Sequence, residues 1–367
     1  MERALDEEFM RRAIELAKKG EGFCHPNPLV GAVIVKDGKV IGEGYHARYG
    51  DLHAERNAFK SLKESAEGAT LYCTLEPCCH HGKQPPCTEA IIENKIKRVV
   101  VGSFDPNPLV SGKGFEILRS AGIEVTEGVL EKECDALNDI FFHYIKTKMP
   151  YVVMKYAMTA DGKIATDTGK SKWITGEKSR ENVQKLRHRL MGIMVGIGTV
   201  LKDDPMLNCR IEGLKSPIRI IVDSKIRIPL DSKICESADK YRTIVAYAEE
   251  NADSKKLALL TEKGIETLLC SSDEAGDKVD IRILLKKLGE MGIDSILLEG
   301  GGELNASFVK EKLISEIKVF IGNKIFGGKG KSPVYGMGID EVESALELEI
   351  KEIERFDDDV CITYIAK

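Results

Sequence analysis

Apolar side chains recur at Phe9, Ala13, Ile14, Leu16 and Ala17, a helical spacing that predicts an amphipathic helix over 6–19 with Asp6 as N-cap and Gly20 just past its end. The period then shortens. Segments 31–36 and 39–45 alternate as strands around Asp37-Gly38, a two-residue hairpin signal. Helical spacing returns over 53–62, a strand follows over 69–74, and Pro77 opens a second helical region. A strand over 97–102, a helix over 112–121 and a strand over 123–125 continue the alternation. Strands alternating with helices predict an α/β/α sandwich around a mainly parallel sheet.

Residues 130–148 read as a charged helical linker that ends at Met149-Pro150. Beyond it lie a strand over 151–158, a turn at 159–162, and a buried strand over 295–298. The run Glu299-Gly300-Gly301-Gly302-Glu303-Leu304-Asn305-Ala306-Ser307 follows, and 308–310 are helical. A length of 367 residues exceeds one ordinary core and predicts two domains, 1–148 and 149–367.

Composition narrows the function classes. A formal charge of −5 with no Lys/Arg-rich run argues against a sequence-independent nucleic-acid groove, and no apolar run approaches a spanning helix. The charged residues 1–8 are unlike a signal peptide, so the expectation is a cytoplasmic protein with reduced thiols. Cys24, Cys73, Cys134, Cys209, Cys235, Cys270 and Cys361 then read as small packing residues.

The chemistry centres on His53-Ala54-Glu55 and Pro77-Cys78-Cys79-His80-His81-Gly82-Lys83-Gln84-Pro85-Pro86-Cys87. One imidazole and two thiolates from His53, Cys78 and Cys87 give zinc three ligands and leave a fourth position open, the catalytic arrangement. Glu55, two residues from the ligand histidine, is the candidate proton shuttle, and the order follows the H-x-E…P-C-x-x-C signature of zinc deaminases. A closed structural site would recruit Cys79, His80 or His81 instead. Asn27, in Pro26-Asn27-Pro28, is either a turn residue or an amide presented to a ligand. In the second half, the glycine run between strand and helix lets backbone N–H groups reach a phosphate, although a plain tight turn explains it equally well. Arg187 and Arg210 are candidates for a phosphate clamp or are solvated surface residues. Lys155 shares a strand face with Ala157. A nucleic-acid deaminase and a zinc-stabilised binding module each explain one half of the chain.

Taken together, Pro26-Asn27-Pro28-Leu29-Val30-Gly31, His53-Ala54-Glu55, Thr74-Leu75-Glu76-Pro77-Cys78, His80-His81-Gly82-Lys83, Pro85-Pro86-Cys87 and Asp105-Pro106-Asn107-Pro108 resemble the bifunctional riboflavin-biosynthesis deaminase/reductases. Eight residues, 79–86, separate the two cysteines where the generic motif has two, and Cys79 departs from the family pattern. Later segments continue the resemblance: Asp161-Gly162-Lys163-Ile164-Ala165, Ser171-Lys172-Trp173-Ile174-Thr175, 195–200, Asp203-Asp204-Pro205, Val222-Asp223-Ser224 and Glu299-Gly300-Gly301.

The resemblance implies a cytidine-deaminase-like α/β/α sandwich followed by a dihydrofolate-reductase-like α/β domain. It implies deamination of 2,5-diamino-6-(5-phosphoribosylamino)pyrimidin-4-one, then NADPH-dependent reduction of the ribosyl side chain to ribityl. By position, it implies that Ala157, Trp173, Thr199, Asp203, Ser224 and Gly301, Gly302, Glu303, Leu304, Asn305, Ala306 and Ser307 contact NADPH. Ser171, Arg187, Leu207, Arg210 and Glu299 would contact substrate. The expected enzyme is a homo-oligomer acting on a small molecule, with neither nucleic acid nor membrane as partner.

Overall fold

Helix α1 (Glu2–Lys18) buries Phe9, Met10, Ala13, Ile14, Leu16 and Ala17. It begins a turn earlier than its apolar stripe, where Glu7 pairs with both Arg3 and Arg11 at helical spacing. Asp6 is therefore not a cap. It is buried inside the helix, accepting Arg98 at 2.9 and 2.8 Å and the Tyr72 hydroxyl at 2.9 Å.

The structure, a computed structural model, describes residues 2–82, 84–248, 253–271, 277–336 and 338–367; Lys83 of the resemblance motif lies outside them. The chain divides into two compact units, Met1–Lys148 and Met149–Lys367. In the first, strands β1 (Gly31–Lys36) and β2 (Lys39–Tyr45) form the hairpin, with Asp37 and Gly38 at φ 50° and 74° as a mirror-image turn requires. Then come α2 (Ala54–Lys60), β3 (Thr70–Leu75), α3 (Cys87–Glu93), β4 (Arg98–Ser103), α4 (Lys113–Ser120), β5 (Glu124–Thr126), α5 (Glu131–Leu137) and α6 (Asp139–Thr147). The sheet order is β2-β1-β3-β4-β5, antiparallel from β2 to β3 and parallel from β3 to β5. Alternate strand residues feed two cores. One joins Ile34, Leu71, Val99 and Val101 to Ala54, Ala58 and Phe115, and the other joins Val33, Tyr72 and Val100 to Phe9, Met10 and Cys134. Helices thus cover both faces.

Two sequence expectations are corrected here. No helix starts at Pro77: the described residues up to Pro86 are irregular and the helix begins at Cys87, because Pro77, Gly82, Pro85 and Pro86 interrupt any helical run. Residues 130–148 are not a linker either. Cys134, Ile140 and Phe141 are buried, Ser103 Oγ donates to Asp135, and Asn138 exchanges hydrogen bonds with Leu29 at 2.8 and 3.0 Å.

The second unit contains β6 (Tyr151–Thr159), α7 (Glu177–Arg189), β7 (Gly192–Gly196), α8 (Ile197–Asp203), β8 (Ile218–Val222), α9 (Lys233–Glu236), β9 (Thr243–Tyr247), α10 (Ser254–Glu262), β10 (Ile265–Leu269), α11 (Ile281–Glu290), β11 (Ser295–Leu298), α12 (Gly302–Lys310), β12 (Glu316–Gly322), β13 (Leu348–Phe356) and β14 (Asp359–Ala366). Their order is β10-β9-β8-β7-β11-β6-β12-β14-β13. From β10 to β12 every pairing is parallel, and the terminal β14 and β13 are antiparallel additions. The C-terminal ends of β8, β7, β11 and β6 consequently lie side by side, where open parallel sheets place ligands.

Candidate active sites

In the first unit, α2 lies directly on β2 at Gly44. A Cβ there would stand 2.4 Å from the Ala58 nitrogen and 2.7 Å from the Ala54 carbonyl, so only glycine admits the helix. His53 is the N-cap of that helix, with extended backbone (φ −68°, ψ 164°), and Glu55 in its first turn is 3% exposed. On the other side, the Cys78 carbonyl accepts the N–H groups of Cys87 and Thr88 at 3.0 and 3.2 Å. That closure sets Cys87, first residue of α3, beside Cys78.

His53 Nδ1 then lies 3.4 Å from Cys78 Sγ and 3.4 Å from Cys87 Sγ, and the three donor atoms fall within 4.8 Å of one another. Cys79 Sγ faces the Leu109 carbonyl at 3.6 Å, and His81 pairs with Glu89 at 3.3 Å. A hydrogen bond from Cys87, aided by His53, pulls Cys78 down to about 4, and the same bond pushes Cys87 up. Burial pushes the Glu55 carboxyl up, reinforced by the Cys78 charge. Two sulfurs and one imidazole nitrogen, close and largely dry, are a donor set matched to a borderline-soft divalent cation such as zinc.

A cavity of about 260 Å³ opens over this group, lined by His53, Glu55 and Cys78 together with Asn27, His46, Gln84, Asp105 and Asn107. Burial lowers His46, leaving a neutral ring whose Nδ1–H donates to the Leu52 carbonyl at 3.1 Å while Nε2 accepts Asn27 Nδ2 at 3.1 Å. Asn27 is therefore held in place rather than free in a turn. Sequence reasoning missed His46, because a lone histidine at a strand end carries no spacing signal.

In the second unit Glu299, just past β11, accepts Arg187 Nη2 at 2.8 Å, and Lys155 Nζ stands 3.6 Å from its other oxygen. Burial would raise this carboxyl, but the two cations hold it down to about 2. Arg187 Nη1 also donates to the Asn208 carbonyl at 3.0 Å, so Arg187 is a fixed, largely buried group. Leu207 is buried at φ 53°, whereas Arg210 is exposed and its backbone N–H donates to Gln184 at 3.0 Å. Ser171 and Trp173 lie between β6 and α7. The indole is exposed, with the Arg180 guanidinium 4.5 Å above it.

The other predicted cofactor residues lie at or beyond the C-terminal ends of neighbouring central strands: Ala157 near the end of β6, Thr199 and Asp203 in α8 after β7, Ser224 after β8, and Gly301 as N-cap of α12 after β11. No side chain caps that helix, which leaves first-turn N–H groups for a phosphate. A Cβ at Gly300 would lie 2.8 Å from Asn305 Oδ1, and one at Gly302 2.8 Å from the Tyr335 Cβ, whereas one at Gly301 would meet nothing. Gly300 and Gly302 are thus required by close approach of the chain to itself, and only Gly301 faces open space. Glu303, Leu304 and Ser307 follow on the same helix, while Asn305 and Ala306 turn into the core.

A model of the cytidine and deoxycytidylate deaminase zinc-binding region matches residues 3–103, and a model of the RibD C-terminal domain matches 150–362. The riboflavin biosynthesis protein RibD of Actinobacillus pleuropneumoniae is 52% identical over 98% of this chain and 95% of its own length. That of Aquifex aeolicus is 46% identical over 99% of both. A diaminohydroxyphosphoribosylaminopyrimidine deaminase/5-amino-6-(5-phosphoribosylamino)uracil reductase from Thermotoga maritima superposes with a TM-score of 0.89 at 41% identity, covering 100% of both chains. Acinetobacter baumannii RibD gives 0.88 at 35%, again over the whole of both.

Proposed function

Because the chain belongs to the RibD family of bifunctional riboflavin-biosynthesis enzymes, we infer that its first unit performs the deamination and its second the reduction. The first reaction is hydrolysis of 2,5-diamino-6-(5-phosphoribosylamino)pyrimidin-4-one with loss of ammonia. The second reduces the ribosyl side chain of 5-amino-6-(5-phosphoribosylamino)uracil to ribityl. The protein uses zinc and NADPH. None of its helices is long and apolar enough to cross a membrane among the described residues.

His53, Cys78 and Cys87 would hold the zinc, which supplies Lewis-acid activation of water. Glu55 takes one proton from the attacking water and gives it to the ring nitrogen. It then takes the second from the hydroxyl now on the ring carbon and gives it to the departing amino group, so that ammonia leaves as the carbonyl forms. Its burial suits that exchange, since removing the carboxyl from water raises it above the ordinary carboxylate range and strengthens it as a proton acceptor. Asn27, fixed by His46, offers an amide to the ring. What carries this reading is the convergence of three donor atoms, with a buried carboxyl lining the same cavity as two of their residues, His53 and Cys78.

For the reduction, Ala157, Thr199, Ser224 and the Gly301 end of α12 would hold NADPH, the hydride donor. Arg187, Glu299 and Lys155 form a fixed array carrying two positive charges and one negative, which favours an anionic substrate. Ser171, Leu207 and Arg210 complete that side, with Arg210 available for the phosphate because its side chain is exposed. Trp173 and Asp203 border the cofactor. The assembly is expected to be a homo-oligomer.

The test is NADPH oxidation by wild type and Glu55→Gln, given first the diaminopyrimidinone phosphate and then the deaminated uracil. Support for both assignments is a variant that oxidises NADPH only with the uracil; wild-type behaviour on the first substrate excludes Glu55 as proton shuttle.

A further inference from the structure

Glu76 sits on the chain between the end of β3 and Cys78 and is 3% exposed. Its carboxylate is taken up by backbone: Oε2 accepts the N–H groups of Asp105 at 3.4 Å and Gly112 at 3.0 Å, and Oε1 accepts that of Gly114 at 3.1 Å. The Glu76 N–H itself donates to the Ser103 carbonyl at 2.9 Å. One side chain therefore grips both ends of the segment that joins β4 to α4.

Besides the contact of Cys79 Sγ with the Leu109 carbonyl at 3.6 Å, that segment is held by short bonds within itself. Asn107 N–H donates to Asp105 Oδ1 at 2.8 Å, Leu109 N–H to Asn107 Oδ1 at 3.1 Å, and Val110 N–H to the Asn107 carbonyl at 2.8 Å. These fix its shape but not its place. Asp105, Asn107 and Val110 all line the deaminase cavity, and Glu76 borders it too, so amide exchange in the segment is what separates a positioning role from direct contact with the substrate. At the far end, Gly112 is the N-cap of α4 at φ 83° and has no side chain to cap the helix. Glu76 supplies the missing acceptor from another part of the chain, with a negative charge at the helix start.

We propose that Glu76 is a positioning residue of the deaminase, holding the 105–114 segment so that Asp105, Asn107 and Val110 form the wall against which the pyrimidine binds. The proposal rests on the deaminase reading of this unit. Three N–H donors meeting two oxygens require a carboxylate. A glutamine in that place aims its own N–H groups at backbone N–H, losing at least one bond and leaving a buried donor unpaired.

The experiment uses the full-length, zinc-loaded protein and its Glu76→Gln variant, with four readouts. Backbone amides of 105–114 exchange faster in the variant, while those of β3 and β4 keep their protection. The KM for the diaminopyrimidinone phosphate rises about 5- to 50-fold, the usual range for one buried hydrogen bond lost with a donor unpaired, and kcat moves less. Zinc content stays at the wild-type level. Reduction of supplied aminouracil phosphate is unchanged, which shows that the reductase unit is folded, while zinc content and the protection of β3 and β4 show the same for the deaminase unit. Glu76→Asp, with the charge kept and the reach shortened, shifts exchange and KM in the same direction by less.

Unchanged exchange and KM in both variants overturn the proposal. So does loss of zinc in step with the rise in KM, because Glu76 would then act through Cys78. Should wild type release no ammonia from the first substrate, the deaminase reading fails on its own, and amide exchange still decides whether Glu76 holds the segment.

Discussion

Arg187 and Glu299 meet across 2.8 Å, joining helix α7 to the end of β11, and Lys155 closes on the same carboxylate from β6 at 3.6 Å. Three neighbouring elements of the reductase unit thus share one buried anion. Glu299→Ala leaves two largely buried cations without a partner, and we expect it to cost about 3 kcal/mol of stability. Trp173 is the only tryptophan and belongs to this unit, so its fluorescence in a urea titration reports the loss.

The same contact sets a pH dependence. Glu299 is held at about 2 against an ordinary 4.5, so its contribution to stability is complete above 4.5 and is lost as pH falls through 2. The stability gap between wild type and Glu299→Gln should narrow steadily across that window. A gap that stays constant from pH 5 to pH 2.5 in paired denaturation curves contradicts the assigned ion pair.

Metal removal should separate the two activities. Chelation, or Cys87→Ser, is expected to abolish ammonia release while leaving NADPH oxidation on the supplied uracil within about twofold of wild type, because zinc binding and folding are linked only in the unit that holds the ligands. Ammonia release and absorbance at the reduced-nicotinamide band, followed on one sample, check it.

Arg219 predicts a purely structural loss. Fully buried, it donates to the Ile234 carbonyl at 2.8 Å, the Ser237 hydroxyl at 2.8 Å and the Thr243 hydroxyl at 2.6 Å, with no carboxylate among these partners. Arg219→Ala strands these acceptors around a cavity and should destabilise the reductase unit by about 3 kcal/mol or more, read by the same fluorescence titration.

The strand and helix pattern was legible where periodicity was local. The Asp37-Gly38 hairpin, β11 and α4 fall where the sequence puts them, because turn chemistry and apolar spacing act over a few residues. Likewise His53, Glu55, Cys78 and Cys87 were legible as a set, since metal chemistry demands particular residue types at constrained spacing. Asp6 was misread as a cap because its partners, Tyr72 and Arg98, are remote in sequence. Residues 130–148 looked like a linker because charge on one face hides the burial of Cys134, Ile140 and Phe141 on the other. The sequence by itself determined the two-unit α/β plan and the donor set, which depend on composition and short-range spacing. Only the tertiary structure decided that His46 fixes Asn27, that Arg187 is tied to Glu299, and that Glu76 holds the far wall of a cavity, because each depends on which strand ends the sheet order brings side by side.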